Sequence, residues 1–335
     1  MLQRVIVPAL LSLSALSACF SPSPMLPAGD EGSSDEGAST SGVAEATDSD
    51  GGSADGTESS SGSTGPEPTD GTGTEPPECG VDRPCPDGQY CVTEACEDPP
   101  DGMVAVPSGS FWMGCNEEID LDCAPDEYPY HEVFLDAFAI DRTAVTWADY
   151  EACMADGECA APDPTNAFGA PCLLPTGGAH PMSCVDWFAA SNYCQGHGKR
   201  LPTEAEWEKA ARGTDGRLYP WGNDVPTCNE AIVGGCGGTQ PVGSVPAGAS
   251  PYGALDMAGN GFEWVADWYA ASYYVESPPN DPTGPAMGTR RIIRSSAPNY
   301  GETAARASSR GPDFEVPSPD DAHESVGFRC ALTPG

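Results

Sequence analysis

A chain of 335 residues with 51 acidic and 14 basic side chains carries a formal charge of −37, a balance that excludes nucleic acid as a natural partner and disfavours an anionic membrane face. The charge divides into two similar parts: residues 20–101 hold 19 acids against one base, Arg83, and residues 102–335 hold 32 acids against 12 bases. The length suits about two domains, but composition shifts so sharply along the chain that only the second part has side chains to bury.

The first residues read as a leader. Arg4 supplies a positive start, and Val5 to Ala18 form an apolar run too short to span a bilayer. The run ends in Leu16-Ser17-Ala18-Cys19, which looks like a bacterial lipobox. The expectation is a signal peptide over 1–18, acylation of Cys19 and a membrane partner held through the lipid. A plain signal peptide with an incidental cysteine is the alternative. Phe20, in place of Asp, follows the cysteine; by resemblance to lipoproteins of two-membrane bacteria this fits the outer membrane. Two or three acyl chains hold firmly, because each buried methylene contributes about 0.8 kcal/mol.

Residues 19–78 are Gly, Ser, Thr, Pro, Asp and Glu with almost nothing to bury. Such a segment does not offset its ordering entropy, and like charges extend it, so it reads as a disordered acidic tether. Over 79–98 follows a small cluster, Cys79, Cys85, Cys91 and Cys96, among Pro84, Pro86 and Gly88. A stretch this short depends on staples: two disulfides with three possible pairings. Zinc is the rival reading, but gaps of five, five and four residues are wider than the usual ligand spacing of about two to four.

The domain expected over 101–335 holds ten more cysteines, an even number that suggests full pairing. Cys115/Cys123, Cys153/Cys159 and Cys228/Cys236 are near enough to close small loops, and Cys330 must reach far back. Three helices are predicted. Thr146, with Asp149 in the reciprocal capping position and Val145 stapled against Tyr150, opens one that runs to about Ala155 and closes at Gly157. Asp186 caps a second, carrying Trp187, Phe188, Ala190, Tyr193 and Cys194 before Gly196. Thr203-Glu204-Ala205-Glu206 is a capping box after Pro202, and Gly213 closes that helix. Elsewhere Gly and Pro recur, 40 and 35 across the chain, so strands are expected to be short in an irregular, disulfide-rich α+β domain.

Several strings in this part share one order and spacing. Met103 to Gly114 reads MVAVPSGSFWMG, Phe138 to Thr146 reads FAIDRTAVT, and Gly198 to Glu208 reads GKRLPTEAEWE; then come YPWG at 219–222, DMAGNGFEW at 256–264 and GFRC at 327–330. The domain resembles the formylglycine-generating-enzyme (sulfatase-modifying-factor) family. The resemblance implies that family's variant of the C-type-lectin-like fold. It also implies an activity: family enzymes bind copper through two cysteines, five residues apart, and oxidise a cysteine of a client sulfatase to formylglycine.

Here the resemblance breaks at the chemistry. Arg294 to Phe328 contains no cysteine, and a soft metal needs thiolates, so copper is not expected. The family's Arg-Gly-Gly-Ser element reads Arg294-Ser295-Ser296-Ala297, its Trp before Glu-Trp is Phe262, and its peptide-binding Asn corresponds to Ser325. Phe262, Arg294, Ala297 and Ser325, with Arg306 and Arg310 as scaffold or cleft residues, therefore mark a degenerate active-site region with no catalytic residue assigned. Iron-dependent relatives need three histidines, whereas His131, His180, His197 and His323 are scattered. The family's calcium segment is matched by Asp256, Gly259, Gly261 and Glu263, whose carboxylates and glycine carbonyls suit a hard cation. The competing reading has Asp256 capping the turn and Glu263 in a buried ion pair. A second calcium segment begins at Asn229 and Glu230, but the shortened loop from Gly234 to Gln240 has no counterpart for its aspartate. Two functions remain: a non-catalytic binding or structural module with a protein or glycan ligand, for which Trp112, Trp268, Tyr269, Tyr273 and Tyr274 are candidate contacts, or an oxidoreductase on the family scaffold.

Overall fold

The computed structural model describes residues 85, 88–92, 95–166, 168–311 and 317–334. The expected leader, Cys19, the tether and Cys79 lie outside the described residues. Among the described residues the strands form four small sheets: β1 (Tyr90–Val92) with β2 (Ala95–Glu97); β3 (Met103–Val106), β6 (Phe138–Asp141) and β10 (Ala331–Leu332) with β6 central; β4 (Gly109–Met113) with β5 (His131–Leu135); and β7 (Gly261–Trp268) between β8 (Arg291–Ser296) and β9 (Val326–Phe328). β7 pairs antiparallel with β8 and parallel with β9. Among the described residues no strand exceeds the eight residues of β7.

The helices start where their caps place them. In α1 (Trp147–Ala155) the Thr146 hydroxyl accepts from the Asp149 amide while Asp149 accepts from the Thr146 amide. Asp186 caps α2 (Trp187–Gly196) through the Ala189 amide at 2.7 Å. The box of Thr203 and Glu206 opens α3 (Glu204–Arg212), and Gly213 ends it at φ +71°. A short α4 (Tyr273–Glu276) follows β7.

The ten domain cysteines pair completely: Cys115–Cys123, Cys153–Cys159, Cys172–Cys184, Cys194–Cys330 and Cys228–Cys236. In the small cluster Cys85 bonds Cys96, and Cys91 is also in a disulfide. These staples do not act alone, since Tyr90 is buried against Met103, Ala105 and Ala139. The β1–β2 hairpin thus borrows a core from the β3–β6–β10 sheet.

Two large clusters lie on opposite faces of the β8 sheet. Ile292 joins Phe111, Val133 and Trp207 on the α3 side, and Ile293 joins Tyr150, Phe262 and Phe328 on the α1–α2 side. The α3 helix is the unexpected element. Its sequence EAEWEKAAR carries five charges, yet every residue from Glu204 to Arg212 is buried. Buried charges must be paired or fully hydrogen-bonded, and these are. Glu204 holds Arg310 at 2.8 Å and Arg294 at 3.1 Å, and Glu208 holds Arg294 at 2.8 Å and Arg212 at 2.9 Å. Lys209 donates to the carbonyls of Pro107 and Gly109, both at 2.8 Å. Burial pushes Lys209 down to about 8. Burial also acts against ionised Glu204, but Arg310 and then Arg294 outweigh it and hold the carboxyl below its ordinary value.

Deleting one member of this network strands the rest. Glu204→Ala leaves Arg310 and Arg294 short of a counter-charge in a dry interior, and the expected loss is about 3–5 kcal/mol, read as a fall in the urea unfolding midpoint.

Candidate functional site

The turn from Asp256 to Asn260 delivers the chain into β7, and its backbone leaves little choice of residue. Asp256 and Asn260 both take the left-handed conformation, at φ +58° and +69°. Asn260 locks the turn by accepting from the Gln240 amide at 2.7 Å and donating to the Gln240 carbonyl at 3.0 Å. Gly259 lies against Ile232, where an added Cβ would fall 2.7 Å from the carbonyl oxygen.

Asp256, Gly259, Gly261 and Glu263, the four residues of the calcium segment, line one small cavity of about 10 Å³ with Asn260, Phe262, Ala144, Pro181 and Gly327. That is room for about one water-sized occupant. The Oδ2 of Asp256 accepts from the Gly243 amide at 2.7 Å, whereas its Oδ1 is buried with no hydrogen-bond partner. Burial raises the Asp256 carboxyl above its usual range, with the Gly243 amide and Arg329 opposing. A buried acceptor without a donor is costly, and a cation is the kind of group that satisfies it. Glu263 is differently placed: Arg329 bonds both its oxygens, at 2.6 and 2.7 Å, and the Trp207 indole donates to Oε2 at 2.8 Å. Of the competing reading, the buried ion pair of Glu263 is observed. Asp256 is tied to the Gly243 amide, outside its own turn, and one Asp256 oxygen is left over beside the cavity. The residues fit a hard cation, with Glu263 entering as a carboxylate shared with Arg329.

The expected degenerate active-site region divides in two. Phe262, Ala297 and Ser325 do come together at one end of the β8–β7–β9 sheet. Phe262 and Ala297 share a buried cluster, the Phe262 amide donates to the Ser325 carbonyl at 2.8 Å, and the Phe262 ring meets Tyr300 edge-on at 4.9 Å. Arg294 leaves β8 toward α3 instead, where Glu204 and Glu208 enclose it with zero exposure. Arg310 joins that network, buried over Tyr274 and bonded to the Asp126 and Ala270 carbonyls. Arg306 lies in a third place, 2.7 Å from both Asp120 and Glu127. Of the two roles open to Arg306 and Arg310, scaffold or cleft, their burial among ion-pair partners favours scaffold, and Arg294 is held in the same way.

Sequence reasoning missed the surroundings of Arg306. Ligand atoms of Cys115, Asp120, Cys123 and Glu127 all lie within 4.8 Å of one another, a grouping that resembles a metal site. The two sulfurs are bonded to each other and Arg306 supplies the positive charge. The Cys-x4-Asp-x2-Cys spacing was a usable signal, but its cation comes from nearly 190 residues downstream. Of the aromatic candidates, Tyr274 is core; Trp268 packs with Trp187 on either face of Arg291, at 3.5 and 3.6 Å; and Trp112, 45% exposed, stacks on Tyr130 at 5.1 Å.

Small sheets, one of them mixed, three capped helices and a set of disulfides define an α+β domain of the formylglycine-generating-enzyme fold. A model of the sulfatase-modifying factor enzyme 1-like (FGE-sulfatase) domain matches residues 89–334, and the chain belongs to this family. It is similar to the formylglycine-generating enzyme of Streptomyces coelicolor, 36% identical over 69% of this chain and 88% of that protein. It is also similar to the serine/threonine-protein kinase pkn1 of Chlamydia caviae, 33% identical over 68% of this chain but only 37% of the kinase. Among solved structures, PvdO from Pseudomonas aeruginosa superposes with a TM-score of 0.59 at 30% identity, over 69% of this chain and 93% of that one.

The turn's tight packing gives a direct test. Gly259→Ala is expected to destabilise by about 1–3 kcal/mol, because the atoms it meets are backbone. Gly238→Ala, where nothing lies within 4 Å of the added carbon, should leave the urea midpoint nearly unchanged.

Proposed function

We propose that this domain is a non-catalytic binding or structural module of an exported lipoprotein, carried on an acidic tether from an acylated Cys19 at the outer membrane of a two-membrane bacterium. The observation that carries the non-catalytic reading is the state of the sulfur. Every cysteine among the described residues is in a disulfide, so none offers the thiolate that a soft metal requires. Where the resemblance expects the surroundings of a copper pair, Phe262 and Ala297 are buried hydrocarbon. A protein or glycan is the partner class, and the exposed Trp112 stacked on Tyr130 is a candidate contact surface.

The second reading is an oxidoreductase acting on a cysteine of a sulfatase-like client, favoured by the 36% identity to the Streptomyces coelicolor enzyme over most of its length. One assay separates the two. The purified chain is incubated with copper, oxygen and a Cys-x-Pro-x-Arg peptide, and the peptide is weighed. An unchanged mass is the expected outcome; conversion of the thiol to an aldehyde, absent in a no-protein control, overturns the non-catalytic reading.

We further propose that calcium is held by Asp256, the carbonyls of Gly259 and Gly261, and Glu263, and that its chemistry there is to neutralise buried carboxylates and stiffen the turn into β7. Calcium at about 100 times its dissociation constant should stabilise the folded chain by about 2.7 kcal/mol, seen as a raised melting temperature. Elemental analysis should find one calcium per chain, and neither effect should survive in Asp256→Ala. Asp256 is the informative position, because Glu263→Ala would also strand Arg329. Equal calcium content in Asp256→Ala and the parent would remove the assignment.

A further inference from the structure

A second cavity, of about 410 Å³, opens between the segment leading into α1 and the end of α2. Its chemistry belongs to none of the roles above. Asp101, Asp141, Asp149, Tyr193, His197 and Lys199 supply its polar groups. The volume falls within the range of about 300–1,000 Å³ that small-molecule sites occupy.

Most of these groups are engaged within the fold, and the exceptions share one character. Lys199 is the only lysine or arginine in the lining, and its ammonium lies 2.6 Å from Asp141 Oδ1, while the Cys330 amide takes Asp141 Oδ2 at 2.8 Å. Asp149 uses Oδ2 in the α1 capping box, leaving its other oxygen uncommitted. Asp101 is exposed and makes no side-chain hydrogen bond among the described residues. Three carboxylates against one ammonium leave two negative charges facing the cleft. The decisive group is Tyr193. It is only 8% exposed, its ring is stacked between Tyr150 at 5.6 Å and His197 at 4.2 Å, and its hydroxyl has no hydrogen-bond partner among the described residues. Burial first, and then the charges of Asp149 and Asp141, push this phenol up to about 12, so it stays neutral beside them. Tyr193 lines the cavity, its ring buried and its hydroxyl still in contact with solvent. The His197 Nδ1 donates to the Tyr193 carbonyl at 2.8 Å, which leaves Nε2 as an acceptor.

We propose that this cleft is a binding site for a small organic cation, a primary amine or guanidinium, seated between the Asp101 and Asp149 carboxylates and the Tyr193 hydroxyl, beside the exposed side of His197. The uncommitted carboxylate oxygens are acceptors backed by excess negative charge, and the hydroxyl can accept beside them, which favours a donor-rich cation over a neutral sugar or an anion. The cavity volume suits an organic ion rather than a bare metal. The proposal holds whether or not the domain oxidises anything.

The test is calorimetric titration of the full chain with agmatine, which carries both a guanidinium and an amine, in low salt and in chelator so that the neighbouring cavity at Asp256 plays no part. Agmatine should saturate at one per chain, with no response to glucose or acetate. Tyr193→Phe, which keeps the ring stack, should weaken binding about fivefold through one lost hydrogen bond. Asp101→Asn combined with Asp149→Asn should weaken it at least about tenfold, and the amide introduced on α1 still offers an oxygen to the cap. Absence of saturable binding overturns the proposal. So does equal affinity in parent and variants, which would mark general attraction to an acidic surface, and so does glucose binding as well as agmatine. If the double variant does not fold, Tyr193→Phe decides alone.

Discussion

Burying α3 on every side makes the molecule depend on the match between its carboxylates and guanidinium groups from other parts of the chain. Glu204 and Glu208 face Arg294 from β8, Arg310 from the loop beyond it and Arg212 from the helix itself. Lys209 and Arg212 complete the arrangement by donating to main-chain carbonyls around β4. A hydrophobic helix would tolerate several rotations about its axis, because apolar contact is non-directional. A buried ion-pair network tolerates one, since each misplaced charge is left unpaired at a cost of several kcal/mol. The helix therefore specifies where β4 and β8 must lie, and β7 follows through its pairing with β8 and the bond from the Trp207 indole to Glu263.

The same logic recurs at Arg329, which joins Glu263 to the carbonyls of Asp141, Arg142 and Leu255. Arginine suits the task because its planar fork offers five donors and does not lose its charge when buried. The chain concentrates its few bases at such points: with only 14 lysines and arginines against 51 acids, it still places Arg212, Arg294, Arg306, Arg310 and Arg329 in the interior. The interior charge balance is thereby carried by residues that a reading of net charge would assign to solvent.

That division explains what was legible in the sequence. The helix starts were, because caps are local: Thr146 with Asp149, Asp186, and Thr203 with Glu206 lie within a few residues of the amides they satisfy. Three disulfides were legible as close neighbours. The string from Asp256 to Glu263 was legible, and Asp256, Gly259, Gly261 and Glu263 do line one cavity. What was hidden is tertiary. Nothing in EAEWEKAAR announces burial, since its partners come from positions as distant as Arg294 and Arg310. Arg294 and Ala297 part because Ser295 between them takes the left-handed conformation, at φ +73°, and β8 ends at Ser296: Arg294 meets Glu204 and Glu208 of α3, and Ala297 lies in the other cluster. Tyr193 was read only as a residue of the second helix, and the structure brings it under the charges of Asp149 and Asp141.

The bond between Cys194 and Cys330 differs from its fellows in scale. The other disulfides with both partners described join residues 6 to 12 positions apart, whereas this one spans 136. On a chain made from its N-terminus, the short loops can close soon after their second cysteine appears, but Cys194 must wait for nearly the whole remaining domain. During that wait it is an unpaired thiol next to four cysteines already made, 153, 159, 172 and 184. Early closure of the Cys153–Cys159 and Cys172–Cys184 loops removes those rivals in turn. The order in which cysteines occur along the chain is thus a timetable for oxidation, in which each local bond protects the last and longest one from forming with the wrong partner.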